Sequence, residues 1–196
     1  MFSYKVDKDI SIEMFQQHHK EEFYSFIDEN RSHLRQWLLW VDKRKSPDDM
    51  KPVIEAFIQK YAENNGFDAG IRCKGKLVGM IGLHAIDWKN RTTSIGYLLG
   101  EKIQGKGIIT KTVSAALISY IFTELELNRI EIQCAASNYK SIAIPERLGF
   151  TKEGIQREGQ WLYDHYEDII TYSMLRREWT CNNTNDEKNE NLLQDK

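Results

Sequence analysis

The middle of the chain changes its hydrophobic period, and that change divides it into elements. Positions 47–63 carry Val53, Ile54, Phe57, Ile58 and Tyr61 at helical spacing, behind a start signal in Ser46-Pro47. This predicts a helix that buries those five side chains and stops near Asn64-Asn65-Gly66. From Phe67 the period becomes two. Segments 67–73, 77–85 and 91–99 read as consecutive strands joined by Lys74-Gly75-Lys76 and by 87–90, an antiparallel meander. Segment 108–122 returns to helical spacing through Ile109, Val113, Ala116, Leu117, Tyr120 and Ile121. Segment 129–135 alternates strictly, with Ile130, Ile132 and Cys134 on one face.

The flanks are less regular. Segment 2–6 alternates and predicts a short strand. Within 9–30 the later part is expected to be helical, with Phe15, Phe23, Phe26 and Ile27 sharing a face. Segment 31–41 predicts a further helix carrying Trp37 and Trp40 three positions apart, either in a core or walling a ligand cleft. Asn138 is expected to cap a helix over 139–148, stopped by Gly149. Pro145 inside that helix removes the N–H that would bond the Ser141 carbonyl, so the helix should bend or leave that carbonyl open. Segments 150–160 and 166–175 predict a closing pair of strands. Residues 1–180 thus read as a single domain, and 181–196, polar and without period, as a disordered tail.

Composition narrows the picture only slightly. The 196 residues are 41% hydrophobic and 29% charged with a formal net charge of −2, an ordinary globular balance that gives no support for nucleic-acid binding. Three scattered cysteines argue against a disulfide framework, and no Cys/His group has metal-ligand spacing. With no signal peptide and no apolar stretch of bilayer length, a cytoplasmic protein is expected.

The chemistry gathers at Gly105-Lys106-Gly107, between a strand and a helix. A strand, a glycine turn and a helix start leave several backbone N–H groups at one point, an anion site suited to phosphate; the same glycines could equally serve a tight turn and nothing more. Two nucleotide motifs fail here. A P-loop beginning at Gly100 ends on Gly107 where Ser or Thr should hold magnesium. The dinucleotide fingerprint lacks its third glycine, with Thr110 in that place, and would need parallel strands before it.

The segment Lys102-Ile-Gln-Gly-Lys-Gly107 instead resembles the acyl-CoA-binding signature of the GCN5-related N-acetyltransferases, [Gln/Arg]-x-x-Gly-x-[Gly/Ala], with Lys102 at the position usually held by glutamine or arginine. Asn138-Tyr-Lys-Ser141 and Leu148-Gly-Phe-Thr-Lys-Glu-Gly154 are similar to the N-x-x-S…GF…EG pattern of its ribosomal-protein N-terminal acetyltransferase branch. The stretch 34–40 is similar to the branch's Leu-x-x-Trp-Leu-x-Trp segment.

The resemblance implies an α/β (α+β) fold with a mixed, mostly antiparallel sheet, helices on both faces, and acetyl-CoA in a cleft between splayed strands. Backbone amides over Gln104, Gly105, Lys106, Gly107, Ile108, Ile109 and Thr110 would hold the pyrophosphate, with Lys102 and Asn138 nearby. The strand end Leu98-Leu99 would pair with the pantetheine arm. Ser141 would be the general acid, while Trp37, Trp40 and His84 would contact the acceptor. The branch's glutamate base aligns with Gln160, which cannot take a proton, so Glu158 is the nearby candidate, beside Asp164, His165 and Glu167. Freeing a lysine amine at neutral pH costs about 4.6 kcal/mol but an α-amine only about 1–1.4, so a weak base suffices for an N-terminus. The implied acceptor is an amine, foremost a ribosomal-protein N-terminus, with a polyamine or other small amine as the alternative and a turnover-free acyl-CoA sensor as another. No metal, nucleic acid or membrane partner is expected, and a homodimer is compatible with the resemblance.

Overall fold

Alternating residues build the sheet. The computed structural model describes residues 3–179, so the polar segment expected as a tail lies outside the described residues. Among the described residues the strands are Ser3–Lys5 (β1), Ile10–Met14 (β2), Phe67–Cys73 (β3), Lys76–Leu83 (β4), Thr92–Leu99 (β5), Arg129–Ala135 (β6), Thr151–Leu162 (β7) and His165–Leu175 (β8). They form one sheet in the order β1-β2-β3-β4-β5-β6-β8-β7. All neighbours are antiparallel except β5 and β6, which run parallel.

The period of two gives each strand one residue set per face, and two cores result. Ile71, Ile81, Ile95, Leu99, Ile130 and Ile132 pack with the helical run after the glycine loop. That run starts as an α-helix, Ile108–Thr112 (α1), and widens into π turns over Val113–Ile118 and Tyr120–Glu124. Leu77, Met80 and Leu98 meet the second core, built from Lys20–Glu29 (α2) and Lys51–Ala62 (α3). Phe23, Ile27 and Ile54 are wholly buried there, each contributing on the order of 1.5–3 kcal/mol.

The observed elements depart from the expected ones in three places. Segment 9–30 contains β2 before its helix: the Asp7 carboxylate accepts the amides of Asp9 and Ile10, both at 2.8 Å, and turns the chain into a strand. Segment 31–41 is not one helix. A short turn, Arg31–Leu34, ends before Trp37, and a 3-10 turn at Leu39–Lys43 carries Trp40. The Arg31 guanidinium holds the carbonyls of Val41 and Arg44, which folds the segment back on itself. In α3, Ile58 and Tyr61 are exposed rather than buried. The apolar contact ends near Phe57, and in the last turn Lys60 reaches the sheet instead, donating to the Leu83 carbonyl at 3.0 Å. The start of this region is as expected: Asp49 accepts from the Ser46 amide at 2.9 Å, closing a capping box.

Candidate active site

The parallel pair β5–β6 stays in register only from Thr92–Arg129 to Ser94–Glu131. Beyond it β5 runs on to Leu99 and β6 to Ala135 without pairing each other. The opening leads into a cavity of about 690 Å³. It is lined by Tyr97, Cys134, Asn138 and Ser141 together with Trp37, Trp40, Met80, His84 and Ser94. Gln156, Gly159 and Gln160 contribute from β7.

Asn138 caps the helix Tyr139–Arg147 (α4), its side chain accepting from the Ser141 amide at 3.1 Å, and Gly149 ends the helix region with φ +76°. This holds Ser141 in the first turn. The Ser141 hydroxyl lies 3.2 Å from Cys134 Sγ and donates to the Tyr97 hydroxyl at 3.4 Å. Tyr97 in turn donates to the Ser141 carbonyl at 3.1 Å. Burial pushes the Tyr97 hydroxyl and the Cys134 thiol up from their ordinary pKa values, so both stay protonated at neutral pH.

The glycine loop lies outside the cavity, on the surface beside the splay. Gly105 and Gly107 have φ +76° and +71°, the left-handed region that glycine enters without strain, and a Cβ at either would meet nothing within 4 Å. Among the described residues the amides of 105–110 find no acceptor. The Gln104 side chain is held between His33 Nε2 at 2.7 Å and Lys140 Nζ at 2.8 Å. Leu98 lines the cavity and Leu99 packs in the core below the loop. Open space, free amides and the nearby Lys102, Lys106 and Lys140 fit the polyphosphate end of a CoA thioester, and the unpaired β5 edge fits its amide arm.

Of the acceptor-side candidates, Trp37, Trp40 and His84 all line the cavity, and Trp40 also packs on the second core. Gln160 lines it too, donating to the Trp37 carbonyl at 3.3 Å. Glu158 does not line it: it is exposed, in a bulge of β7 with φ +53°, its amide bound to Asp168. Tyr97 and Ser94 were not among the residues singled out from sequence. The open Ser141 carbonyl pointed to a missing donor, but nothing local named Tyr97. Among the described residues no group of three His, Cys, Asp or Glu could hold a metal, and no helix is long and apolar enough to cross a membrane.

Residues 10–151 match the family model of an acetyltransferase (GNAT) domain. YdaF of Bacillus subtilis (strain 168), provisionally named a ribosomal N-acetyltransferase, is 40% identical over 180 residues, 91% of this chain and 98% of its own length. The ribosomal-protein-serine acetyltransferase of Escherichia coli (strain K12) is 29% identical over 171 residues, 87% of this chain and 95% of its own. Among solved structures, the microcin C7 self-immunity acetyltransferase MccE, in complex with acetyl-CoA and AMP, superposes with a TM-score of 0.82 at 28% identity, covering 87% of this chain and 94% of its own.

Proposed function

The chain belongs to the GNAT acetyltransferase family, enzymes that take their acyl group from acetyl-CoA, and from that premise we propose that its acceptor is a protein N-terminal α-amine. The relatives whose names place them with the ribosomal-protein acetyltransferases support this reading. The observation that carries it is the charge of the acceptor wall. Among the described residues lining the cavity the acidic one is Asp68, and it is already ion-paired with Lys60. A polyamine would bring further ammonium groups and would need free carboxylates to meet them. A peptide brings one amine, with an otherwise uncharged backbone that suits an apolar, amide-lined wall of Trp37, Trp40, Gln156 and Gln160.

Ser141 is the proton donor to the departing sulfur in this reading. Asn138 and Tyr97 fix its turn, and its hydroxyl stands at the splay where the thioester would lie. A ribosomal acceptor implies a cytoplasmic place of action.

The test is a panel of acceptors with acetyl-CoA, reading free thiol and product mass. Peptides beginning with Ser or Ala should exceed spermidine and Nα-blocked lysine peptides by at least about tenfold in kcat/KM, the lower end of the discrimination that a single pocket contact provides. A preference for spermidine overturns the peptide reading. CoA binding without thiol release from any amine makes the protein an acyl-CoA sensor.

A further inference from the structure

His84 follows the last residue of β4 and faces Ser94 on β5. Its amide donates to the Ser94 carbonyl at 2.9 Å, and its ring Nδ1 lies 2.8 Å from the Ser94 hydroxyl. The other ring nitrogen, Nε2, lies over Gly96, where a Cβ would stand only 2.6 Å from it. Glycine at 96 is therefore what leaves the ring its place. His84, Ser94 and Gly96 line the same cavity as Tyr97 and Ser141. Gln160 lines the same cavity, but a carboxamide accepts no proton at neutral pH.

We propose that His84 is the general base of acetyl transfer, with Nε2 as the proton acceptor and Ser94 as the residue that positions the ring. The proposal rests on the amine-acetyltransferase reading and names a residue for it. When Ser94 Oγ accepts Nδ1–H, the lone pair is on Nε2, which lies over Gly96 at the cavity wall. The charged groups packed around the ring are Lys60 from α3 and Asp68 from β3. Burial lowers the His84 pKa, Lys60 lowers it further, and Asp68 opposes both. The ring is thus neutral at pH 7 while remaining accessible through the cavity, the state a base requires. Asp68 is the competing group: burial raises its pKa, and its ion-pair partner Lys60 opposes that.

In the reaction, the neutral amine's lone pair forms the nitrogen–carbon bond to the thioester carbonyl carbon. The carbon–sulfur bond breaks with its electron pair on sulfur. The surplus amine proton passes to His84 Nε2 and thence to solvent, while the sulfur gains its proton from Ser141, which is re-protonated from water. The amide, CoA thiol and regenerated side chains balance.

Two arms test the assignment on the full-length chain. In the first, His84→Ala is assayed with whichever amine of the panel turns over. It should lose about 10²–10³ in kcat, keep KM for acetyl-CoA within about threefold, and lose the acidic limb of its pH–rate profile. Added imidazole should restore part of the rate. Ser94→Ala should lower kcat several-fold and leave the limb in place. In the second arm, long-range proton–nitrogen NMR of the wild-type protein reads the ring directly. It should find His84 neutral at pH 7 with its proton on Nδ1. An unimpaired His84→Ala variant, an acidic limb that persists in it, or one that disappears in Asp68→Asn overturns the proposal. So does a protonated or Nε2–H ring. If no amine is turned over, the acetyl-transfer reading fails and a general base falls with it; with turnover, a protonated or Nε2–H ring overturns His84 alone.

Discussion

The Tyr97 hydroxyl donates to the Ser141 carbonyl at 3.1 Å, across 44 residues of sequence. Pro145 has no N–H to offer that carbonyl from within the helix, so a strand residue satisfies it instead. A defect in one helix thereby becomes the tie that holds α4 against the splayed end of β5. Tyr97→Phe should leave a part-buried carbonyl without a donor and cost about 1–3 kcal/mol of stability in urea unfolding.

Ser141→Ala should lower kcat by roughly one to three decades, within the range general acid catalysis provides. KM for acetyl-CoA should move far less, because a proton delivered in the transition state adds little to ground-state binding. A thiol titrates near 8.5, so an unprotonated thiolate still leaves and activity persists. Unchanged kcat with chemistry rate-limiting would leave water as the donor.

Gly107→Val should fold and bind CoA weakly. Space is not the obstacle, since nothing lies within 4 Å of the new Cβ; the φ of +71° is. A left-handed non-glycine residue costs roughly 1–2 kcal/mol, and a branched one resists it further. Relief of that strain would turn the amides away from the phosphate. Calorimetric titration with CoA checks this, and wild-type affinity would reduce the loop to a turn.

Gly96→Ala should act on His84 alone. Its Cβ would lie 2.6 Å from Nε2 and 2.9 Å from Cε1, and a rotatable ring at a cavity wall can swing aside. The melting temperature should change little while the Ser94–His84 bond is lost, visible as a shifted His84 titration in NMR.

Glu153 provides the pH dependence. The Arg129 guanidinium, then Ser173, hold its pKa down to about 2. A carboxylate depressed on folding stabilises the protein above its unfolded value near 4.5, and that contribution is lost as pH falls through about 2. The side chain is 41% exposed, so screening keeps the effect to about 0.5 kcal/mol. Glu153→Gln should flatten the acid limb of stability between those pH values, measured by thermal unfolding.

Elements whose pattern is local were legible in the chain itself. The strands of the meander, β6 with Ile130, Ile132 and Cys134 inward, the capped α4 and the glycine turn all follow from side-chain period and backbone allowance, which neighbours a few residues apart decide. The Asp7 turn that starts β2, the break after Leu34 and the exposed Ile58 and Tyr61 depended on partners that the local period does not encode. The same holds for the site. Ser141 and its open carbonyl could be read from Asn138 and Pro145, but the hydroxyl that answers it could not. His84 was legible as an acceptor-side residue through the family resemblance, but not as a partner of Ser94. Pairing of β4 with β5 set it beside Ser94 and over Gly96, and the early end of the β5–β6 pairing opened a cavity that both it and Ser141 line. Strand pairing joins residues without regard to their separation along the chain, so only the folded sheet could bring these groups to one cavity.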